Sequence, residues 1–143
     1  MSPTKACPVV TRIRDGKVEV LAFRHPLAGL QLVKGGIEPG EAPDIAALRE
    51  LSEEAGIHQA RIARNLGVWE SGFEGQVWAI YLVEVGQVLP GIWSYETSDD
   101  DGQTFEFFWH DMSSSPTDEW HPQFVSALGK IKEALALDKG TVA

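Results

Sequence analysis

The sequence has a single cysteine, Cys7, among its 143 residues, so an internal disulfide is impossible. It also lacks an uninterrupted apolar run of about 18 residues and an N-terminal stretch with the charged-then-apolar pattern of a secretory signal. No internal repeat, low-complexity tract or linker divides the chain. These absences predict a cytoplasmic protein with no membrane partner, folded as a single domain over residues 1–143.

Positive charge is also scarce, because 12 Lys and Arg residues face 21 Asp and Glu residues, for a net charge of −9. A groove that follows the phosphates of a nucleic acid polymer needs clustered basic residues, so such a polymer is not an expected partner. More than half of the negative excess lies in residues 35–57, which hold six acidic residues and one arginine. That concentration fits a cation site, which an anionic substrate could approach only with metal neutralising it.

Three of these acidic residues, Glu50, Glu53 and Glu54, have the spacing of one helical face. Each residue of an α-helix turns the chain by about 100°, so the three carboxylates fall within an arc of roughly 100°. Leu51 and Ala55 fall on the opposite side, where they predict the face that packs on the core. Like charges so placed repel each other, and a cation on that face would relieve the repulsion.

The boundaries of this helix are marked in the sequence. Gly35 and Gly36 belong to a glycine-rich loop in which backbone can approach a ligand closely. Pro43 suits the first helical turn, where its missing N–H costs nothing. Gly56 suits a left-handed residue that ends the helix. The pattern predicts a loop, then a helix, then a glycine stop.

Residues 35–57 resemble the signature of the Nudix hydrolases, G-x5-E-x7-R-E-U-x-E-E-x-G-U, in which U is a bulky aliphatic residue. All nine fixed positions are filled, by Gly35, Glu41, Arg49, Glu50, Leu51, Glu53, Glu54, Gly56 and Ile57. The resemblance implies an α/β/α sandwich, a mixed sheet flanked by the motif helix and a C-terminal helix. It also implies an Mg²⁺-dependent enzyme that cleaves the diphosphate bond of a nucleoside diphosphate linked to another group X. Water would attack phosphorus directly.

The resemblance assigns roles within the motif. Glu50 and Glu54 match the principal metal ligands, and Glu53 matches a further ligand. Glu50 also matches a position that can orient or deprotonate water, and Arg49 one that holds a glutamate by ion pairing. Carboxylates without a cysteine or a spaced histidine pair select hard cations, Mg²⁺ and with it Mn²⁺.

Further metal ligands can lie outside the helix in this family. Backbone carbonyls of the glycine loop, near Lys34 and Gly35, are one source. A glutamate beyond the motif is another, and its position varies among members. The first candidate here is Glu106 on the predicted last strand, where an exposed strand residue is the alternative, and Glu96 is the second.

Substrate could be bound by residues around the loop, namely Arg24, Lys34, Gly35, Gly36 and Phe73. Arg24 and Lys34 would bind phosphate, and for each the alternative is a solvated surface cation. Phe73 would offer a ring on which a base stacks, and core packing is its alternative.

The substrate itself stays open. ADP-ribose hydrolases carry a marker proline after the motif and dinucleoside polyphosphate hydrolases a tyrosine, but Gly72, Phe73 and Glu74 stand in that region. Lys34 with Gly35 resembles the Pro-Lys-Gly entry of dinucleoside polyphosphate hydrolases, which keeps that class and nucleoside triphosphates as alternatives. A non-catalytic nucleotide sensor is the alternative from another class, although such modules usually lose a motif carboxylate. Members of the family often form homodimers, which the sequence leaves open.

Strands dominate the rest of the predicted structure. Alternating and β-branched residues predict strands at 6–14, 17–24, 31–34, 62–69, 76–85 and 105–110, with a hairpin turn at Asp15-Gly16. A loop is predicted at 27–30, and another over the acidic residues 96–102. An apolar stripe at helical spacing, which includes Phe124, Leu128 and Ile131, predicts a helix over 121–137.

Overall fold

Eight strands and two helices make up the described chain. The computed structural model describes residues 2–97 and 102–142, with side chains up to residue 136. In chain order the elements are β1 (Lys5–Arg14), β2 (Lys17–His25), β3 (Gly29–Gln31), β4 (Gly35–Gly36), α1 (Pro43–Ala55), β5 (Ala60–Glu70), β6 (Val77–Val85), β7 (Trp93–Glu96), β8 (Thr104–Asp111) and α2 (Pro122–Val142).

The strands form one mixed sheet in the order β5-β6-β1-β2-β8-β7. β1 runs parallel to β6 and antiparallel to β2. Two short strands pair off this path, β3 with β2 and β4 with β1. In the second of these pairs Gly35 lies opposite Ala6 and Gly36 opposite Lys5. The start of β1 therefore lies directly beside the glycine-rich loop.

The sheet separates two apolar cores. Successive residues of a strand point to opposite faces, and β1 shows this, because Ala6 packs in the core on the α1 side and Cys7 in the core on the α2 side. Leu51 of α1 and Phe124 of α2 are fully buried in these two cores. The resulting three layers confirm the predicted α/β/α sandwich with a mixed sheet.

Most predicted elements are confirmed within one or two residues. The first hairpin turns at Asp15 and Gly16, which both have positive φ values of 51° and 76°, as a two-residue turn of this type requires. α1 begins at Pro43, as predicted, and Gly56 after it has φ of 71° in the left-handed region. The apolar stripe of α2 is buried, as predicted, although the helix runs on to Val142.

Two predictions about strands were wrong. The strand predicted at 31–34 is instead Gly29–Gln31, which folds back on β2 through a three-residue turn, so that His25 pairs with Gly29. Pro26 thus lies in a hairpin turn over residues 26–28, in place of the loop predicted at 27–30. β7 was not predicted, because it has only four residues and pairs with β8 alone. Residues 98–101 of the predicted acidic loop lie outside the described residues.

Among the helices that the structure describes, none combines the length and the apolar character needed to cross a membrane.

Candidate active site

The acidic face of α1 is turned partly into the protein. Glu50 is 5% exposed and Glu54 9% exposed, on the same helix as the buried Leu51 and Ala55. Burying a carboxylate is costly unless it gains hydrogen bonds or a counter-charge. The motif helix therefore holds two ionisable groups that must be compensated from nearby.

Gly35 is the backbone against which Glu50 rests. A Cβ atom built on Gly35 would lie 1.9 Å from the Glu50 Cδ atom and 2.2 Å from each of its carboxylate oxygens. The first motif glycine is thus required by a close approach of backbone and carboxylate. Gly35 is also paired with Ala6 of β1. The sheet therefore fixes the position of the backbone that the Glu50 carboxylate contacts.

Arg49 connects this carboxylate to the loop and to the rest of the helix. Its Nε and Nη2 atoms donate to the two Glu41 oxygens at 2.7 and 2.9 Å, a bidentate pair. Its Nη1 atom donates to Glu50 Oε1 at 2.9 Å and to Glu53 Oε2 at 3.0 Å. A second bond from Nη2 reaches the Gly36 carbonyl oxygen at 2.8 Å. One planar guanidinium group therefore fixes three carboxylates and the glycine loop.

The electrostatic consequence is clearest at Glu41. The hydrogen bonds from Arg49, with a further one from the Glu38 backbone N–H, lower the pKa of Glu41 to about 2. The same bond to Glu41 raises the pKa of Arg49 above its usual value, against the opposing effect of burial. Glu41 therefore stays ionised at neutral and mildly acidic pH and accepts from Arg49 throughout that range.

The donor set suits a hard cation. Arg49 joins the carboxylates of Glu41, Glu50 and Glu53 and compensates one of their charges, and Glu54 lies on the same helix. Oxygen atoms are the ligands that Mg²⁺ prefers. Within the described residues, no three His, Cys, Asp or Glu side chains are arranged so that they could hold a metal ion. Glu50 and Glu53 instead accept hydrogen bonds from Arg49. The carboxylate oxygens are thus chemically suited to a divalent ion. Arg49 now neutralises part of the negative charge that the ion would bind.

Lys34 lies just before the glycine loop, on the α2 side of the sheet. Its Nζ atom donates to Gln76 Oε1 at 3.1 Å and lies 5.2 Å from the centroid of the Trp78 ring and 5.5 Å from that of Phe124. Burial, and then the neighbouring charge of Lys5, lower the pKa of Lys34, while the Glu54 carboxylate acts in the opposite direction. The charges of Lys34 and Glu54 therefore interact.

Comparison with known proteins agrees with this geometry. The sequence model of the NUDIX domain matches residues 4–128. The chain belongs to the Nudix family.

The similarity to individual Nudix proteins is more limited. An RNA pyrophosphohydrolase of Gluconobacter oxydans is 47% identical over 60 residues, which is 41% of this chain and 35% of that protein. An ADP-ribose pyrophosphatase of Saccharomyces cerevisiae is 31% identical over 114 residues, or 75% of this chain and 49% of that one. The chain therefore matches half or less of the length of these relatives.

A solved structure confirms the fold. The Ap4A hydrolase of C. elegans, in a binary complex, superposes with a TM-score of 0.65 at 24% identity, over 92% of this chain and 98% of that one. At this identity the likeness concerns the Nudix fold alone.

The two glutamates predicted outside the Nudix motif are not brought to its carboxylates. Glu106 lies in β8 between Phe105 and Phe107, which both pack on the α1 side, so Glu106 points to the α2 side and is exposed. Glu96 alternates in the same way with Tyr95 and is exposed. A ligand role for either residue has no support from this placement.

The predicted substrate-binding residues are spread over the α2 side. Arg24 is the cross-strand partner of Glu106 and forms an ion pair with Glu119 at 2.8 Å, with both side chains about half exposed. Phe73 is half-buried, and its ring meets His121 edge-on with 4.9 Å between centroids. Arg24 therefore already has a partner, and Phe73 still presents part of its ring to solvent.

Two residues at the end of β7 make contacts with α1 and its glycine stop that the sequence did not predict. Thr97, 2% exposed, donates from its Oγ1 atom to the Glu53 carbonyl oxygen at 3.0 Å. That carbonyl belongs to the last turn of α1, where no intrahelical partner is available. A Cβ on Gly56 would lie 2.5 Å from the Tyr95 ring, so the Nudix glycine also allows this aromatic contact. Neither residue belongs to a pattern in the sequence.

We expect replacement of Thr97 by Val to lower the free energy of unfolding by about 1–3 kcal/mol, because the Glu53 carbonyl loses its hydroxyl donor in a buried place. Denaturant unfolding measures the change. Thr97→Ser keeps the hydroxyl and serves as the control. A Val variant as stable as the wild type would show that the contact adds nothing.

Proposed function

We propose that this chain is an Mg²⁺-dependent pyrophosphohydrolase that cleaves the diphosphate bond of a nucleoside diphosphate linked to another group X. The products would be a nucleotide and a phosphorylated X. The observation that carries the proposal is the buried Glu50 carboxylate, held between the backbone of Gly35 and the guanidinium of Arg49. A carboxylate that is held in this way, beside two further motif carboxylates, is suited to metal-assisted hydrolysis. It is not typical of a helix face that is merely exposed to solvent.

Each residue has a part in this proposal. Glu50, Glu53 and Glu54 would hold Mg²⁺, with Mn²⁺ as a substitute, and the carbonyl of Lys34 is a further candidate ligand. When bound, such an ion neutralises phosphate oxygens and makes a coordinated water more acidic. Arg49 fixes the directions of Glu50 and Glu53. Glu50 also orients the water, whose oxygen forms the new bond to phosphorus as the bridging P–O bond breaks.

Binding of the nucleotide is proposed on the α2 side of the glycine loop. The Lys34 ammonium has further N–H groups besides the one that donates to Gln76. These groups can donate hydrogen bonds to a phosphate of the substrate. Phe73 offers a partly exposed ring for base stacking. Gly35 and Gly36 let backbone approach the phosphates, and the paired Arg24 lies at the margin of this surface.

The relatives suggest where to look for the substrate. Their names include RNA pyrophosphohydrolase, ADP-ribose pyrophosphatase, Ap4A hydrolase and UDP-X diphosphatase, and the last three name small nucleotide derivatives. Such small molecules, rather than a polymer, are our proposed substrates. A cytoplasmic location stays a prediction from the sequence, and a homodimer a prediction from the family.

A screen of phosphate-anhydride cleavage tests the proposal. The panel holds ADP-ribose, diadenosine polyphosphates, nucleotide sugars, nucleoside triphosphates and a 5′-triphosphorylated RNA, each with Mg²⁺, with Mn²⁺ and with a chelator. We expect cleavage of a small nucleotide with either metal and none with the chelator, because the carboxylates alone repel phosphate. Ligand-dependent thermal stabilisation without any cleavage would instead support the sensor alternative.

A further inference from the structure

β1 and β6 separate at one end of the sheet and leave a cleft between them. Their parallel pairing ends at Val10 and Val83, after which β1 pairs with β2 and β6 with β5. The cleft begins at Arg12, six residues beyond Ala6, which is roughly 20 Å along the strand. Because Ala6 pairs with Gly35, the cleft lies at the opposite end of β1 from the glycine loop.

A cavity of about 510 Å³ fills this cleft, and small-molecule sites have volumes of this size. Most of its lining is apolar and includes Val10, Val85 and Leu89. Arg12 and Trp109 also line it, and the same two residues line a second cavity of about 480 Å³. One guanidinium group and one indole ring therefore border both spaces.

Arg12 is held in place without using all of its donors. Its Nε atom donates to Glu19 Oε1 at 2.6 Å, and its Cζ atom lies 4.5 Å from the centroid of the Trp109 ring. Within the described part of the chain, its two Nη atoms have no hydrogen-bond partner, although the side chain is only 27% exposed. A guanidinium group fixed in this way can bind a carboxylate through both Nη atoms and loses little conformational freedom in doing so.

The charges around the two cavities favour an anion. Among the described residues, the charged side chains that line them are those of Arg12, Arg14 and Glu84. Glu84 forms an ion pair with Arg61, whereas Arg14 is exposed and forms no ion pair with the described residues. The cleft is therefore locally positive in a protein whose net charge is −9.

The loop over residues 86–92, which joins β6 to β7, lies against the same indole ring. The Pro90 carbonyl oxygen accepts from Trp109 Nε1 at 3.0 Å, and Leu89 packs against the core on the α1 side. Trp109 thus contacts Arg12 with its ring and the loop with its N–H group. A molecule bound at Arg12 would change the surroundings of that N–H group, which a spectroscopic measurement can detect.

We propose that this cleft binds a small organic carboxylate. Its carboxylate group accepts hydrogen bonds from the two Arg12 Nη atoms, and its apolar body lies against Val85 and Leu89. An inorganic anion would satisfy Arg12 but bury none of the apolar lining, and a neutral apolar molecule would leave the Nη atoms without acceptors. The inference does not depend on the proposed function, because none of these residues belongs to the Nudix motif.

Binding of naphthoate tests the inference, with naphthamide as the uncharged ligand of nearly the same shape. Each compound is titrated into ¹⁵N-labelled protein, and NMR follows the Nε1–H signal of Trp109 and the Nε–H signal of Arg12. We expect naphthoate to shift both signals until they saturate. It should bind about tenfold more tightly than naphthamide, because only naphthoate offers a charged acceptor to Arg12.

Variants of Arg12 identify the contact. Arg12→Met should weaken naphthoate binding about tenfold and leave naphthamide binding within about twofold of the wild type. Arg12→Lys keeps the charge but loses the two Nη atoms, so its affinity should fall between those of the wild type and Arg12→Met. Backbone amide signals away from the cleft show whether each variant is folded.

Lys17→Met is the matched control, because it removes one positive charge from the same hairpin. Lys17 is exposed, pairs with Asp111 at 3.4 Å and lines neither cavity, so naphthoate affinity should stay within about twofold of the wild type.

Four results would each overturn the inference. They are no saturable shift with naphthoate, equal affinity for naphthoate and naphthamide, unchanged naphthoate affinity in folded Arg12→Met, and an equal loss of affinity in Lys17→Met. Inorganic phosphate that shifts the same signals with the affinity of naphthoate would also contradict a site for an organic carboxylate.

Discussion

Glu50→Gln is expected to lower kcat by roughly two to three orders of magnitude, the size of effect seen when one preorganised electrostatic group is removed from an active site. The substitution keeps the shape of the side chain and removes its charge. Glu50 is buried against the backbone of Gly35, so its carboxylate has little room to move. Steady-state kinetics over a range of Mg²⁺ concentrations would show the loss, together with a higher Mg²⁺ requirement.

The fold should survive this change. Arg49 Nη1 can still donate to the oxygen of the new amide, and its bidentate pair with Glu41 is untouched. One negative charge also disappears from a helix face that carries three, which relieves repulsion. We therefore expect the free energy of unfolding to change by no more than about 1 kcal/mol, as measured by denaturant unfolding.

Glu38→Gln is the matched control for Glu50→Gln. Glu38 belongs to the loop before α1, but its side chain is 66% exposed and its nearest approach to Arg49 is 3.9 Å. An exposed pair of this kind contributes little, so the variant should keep turnover within about twofold of the wild type. Unchanged turnover in Glu50→Gln, with the fold intact, would refute the assignment of Glu50 as a metal ligand.

Local signals explain why the motif helix was predictable. Pro43 and Gly56 act on the backbone of their own turns, so their effects can be read from the sequence without knowing the sheet. The spacing of Glu50, Glu53 and Glu54 likewise depends only on helical geometry. The apolar stripe of α2 follows from the same periodicity. These elements are therefore the ones in which prediction and structure agree most closely.

Features that depend on strand pairing were not predictable in this way. The sequence around Glu106 has Phe105 and Phe107 on one face and Phe108 on the other, so apolar pattern alone cannot tell which face meets α1. The contact of Thr97 with Glu53 joins residues 44 positions apart. Lys5 gains its place beside Gly36 only because β4 pairs with β1. Each of these depends on register, which no local preference specifies.

Gly35→Ala should have the second largest effect, although it adds a single methyl group to a residue that carries no chemistry. The new Cβ would lie 1.9 Å from Glu50 Cδ, so the carboxylate or the β4 backbone must move. A displacement of about 1 Å in an active site can cost about a hundredfold in rate. We expect a loss of kcat of that order, with about 1–3 kcal/mol of destabilisation from overpacking.

Gly91→Ala is the control for the methyl group itself. A Cβ at Gly91 would meet nothing within 4 Å, and its φ is not in the left-handed region. Its activity should equal that of the wild type, measured in the same assay. Wild-type kinetics in Gly35→Ala would show that the close approach to Glu50 has no importance for turnover.

The double variant Gly35→Ala/Glu50→Gln distinguishes a positional effect from general damage. If Gly35 acts only by placing the Glu50 carboxylate, displacement of the side chain at position 50 has no further effect on turnover once that carboxylate is gone. The double variant should then be about as slow as Glu50→Gln alone, as is typical of residues that act as a unit. Losses that multiply would instead mean that Gly35 contributes independently, for example through its backbone beside the phosphates. Kinetics of the two single variants and the double variant therefore distinguish a Gly35 that only positions Glu50 from a Gly35 that contributes to turnover by itself.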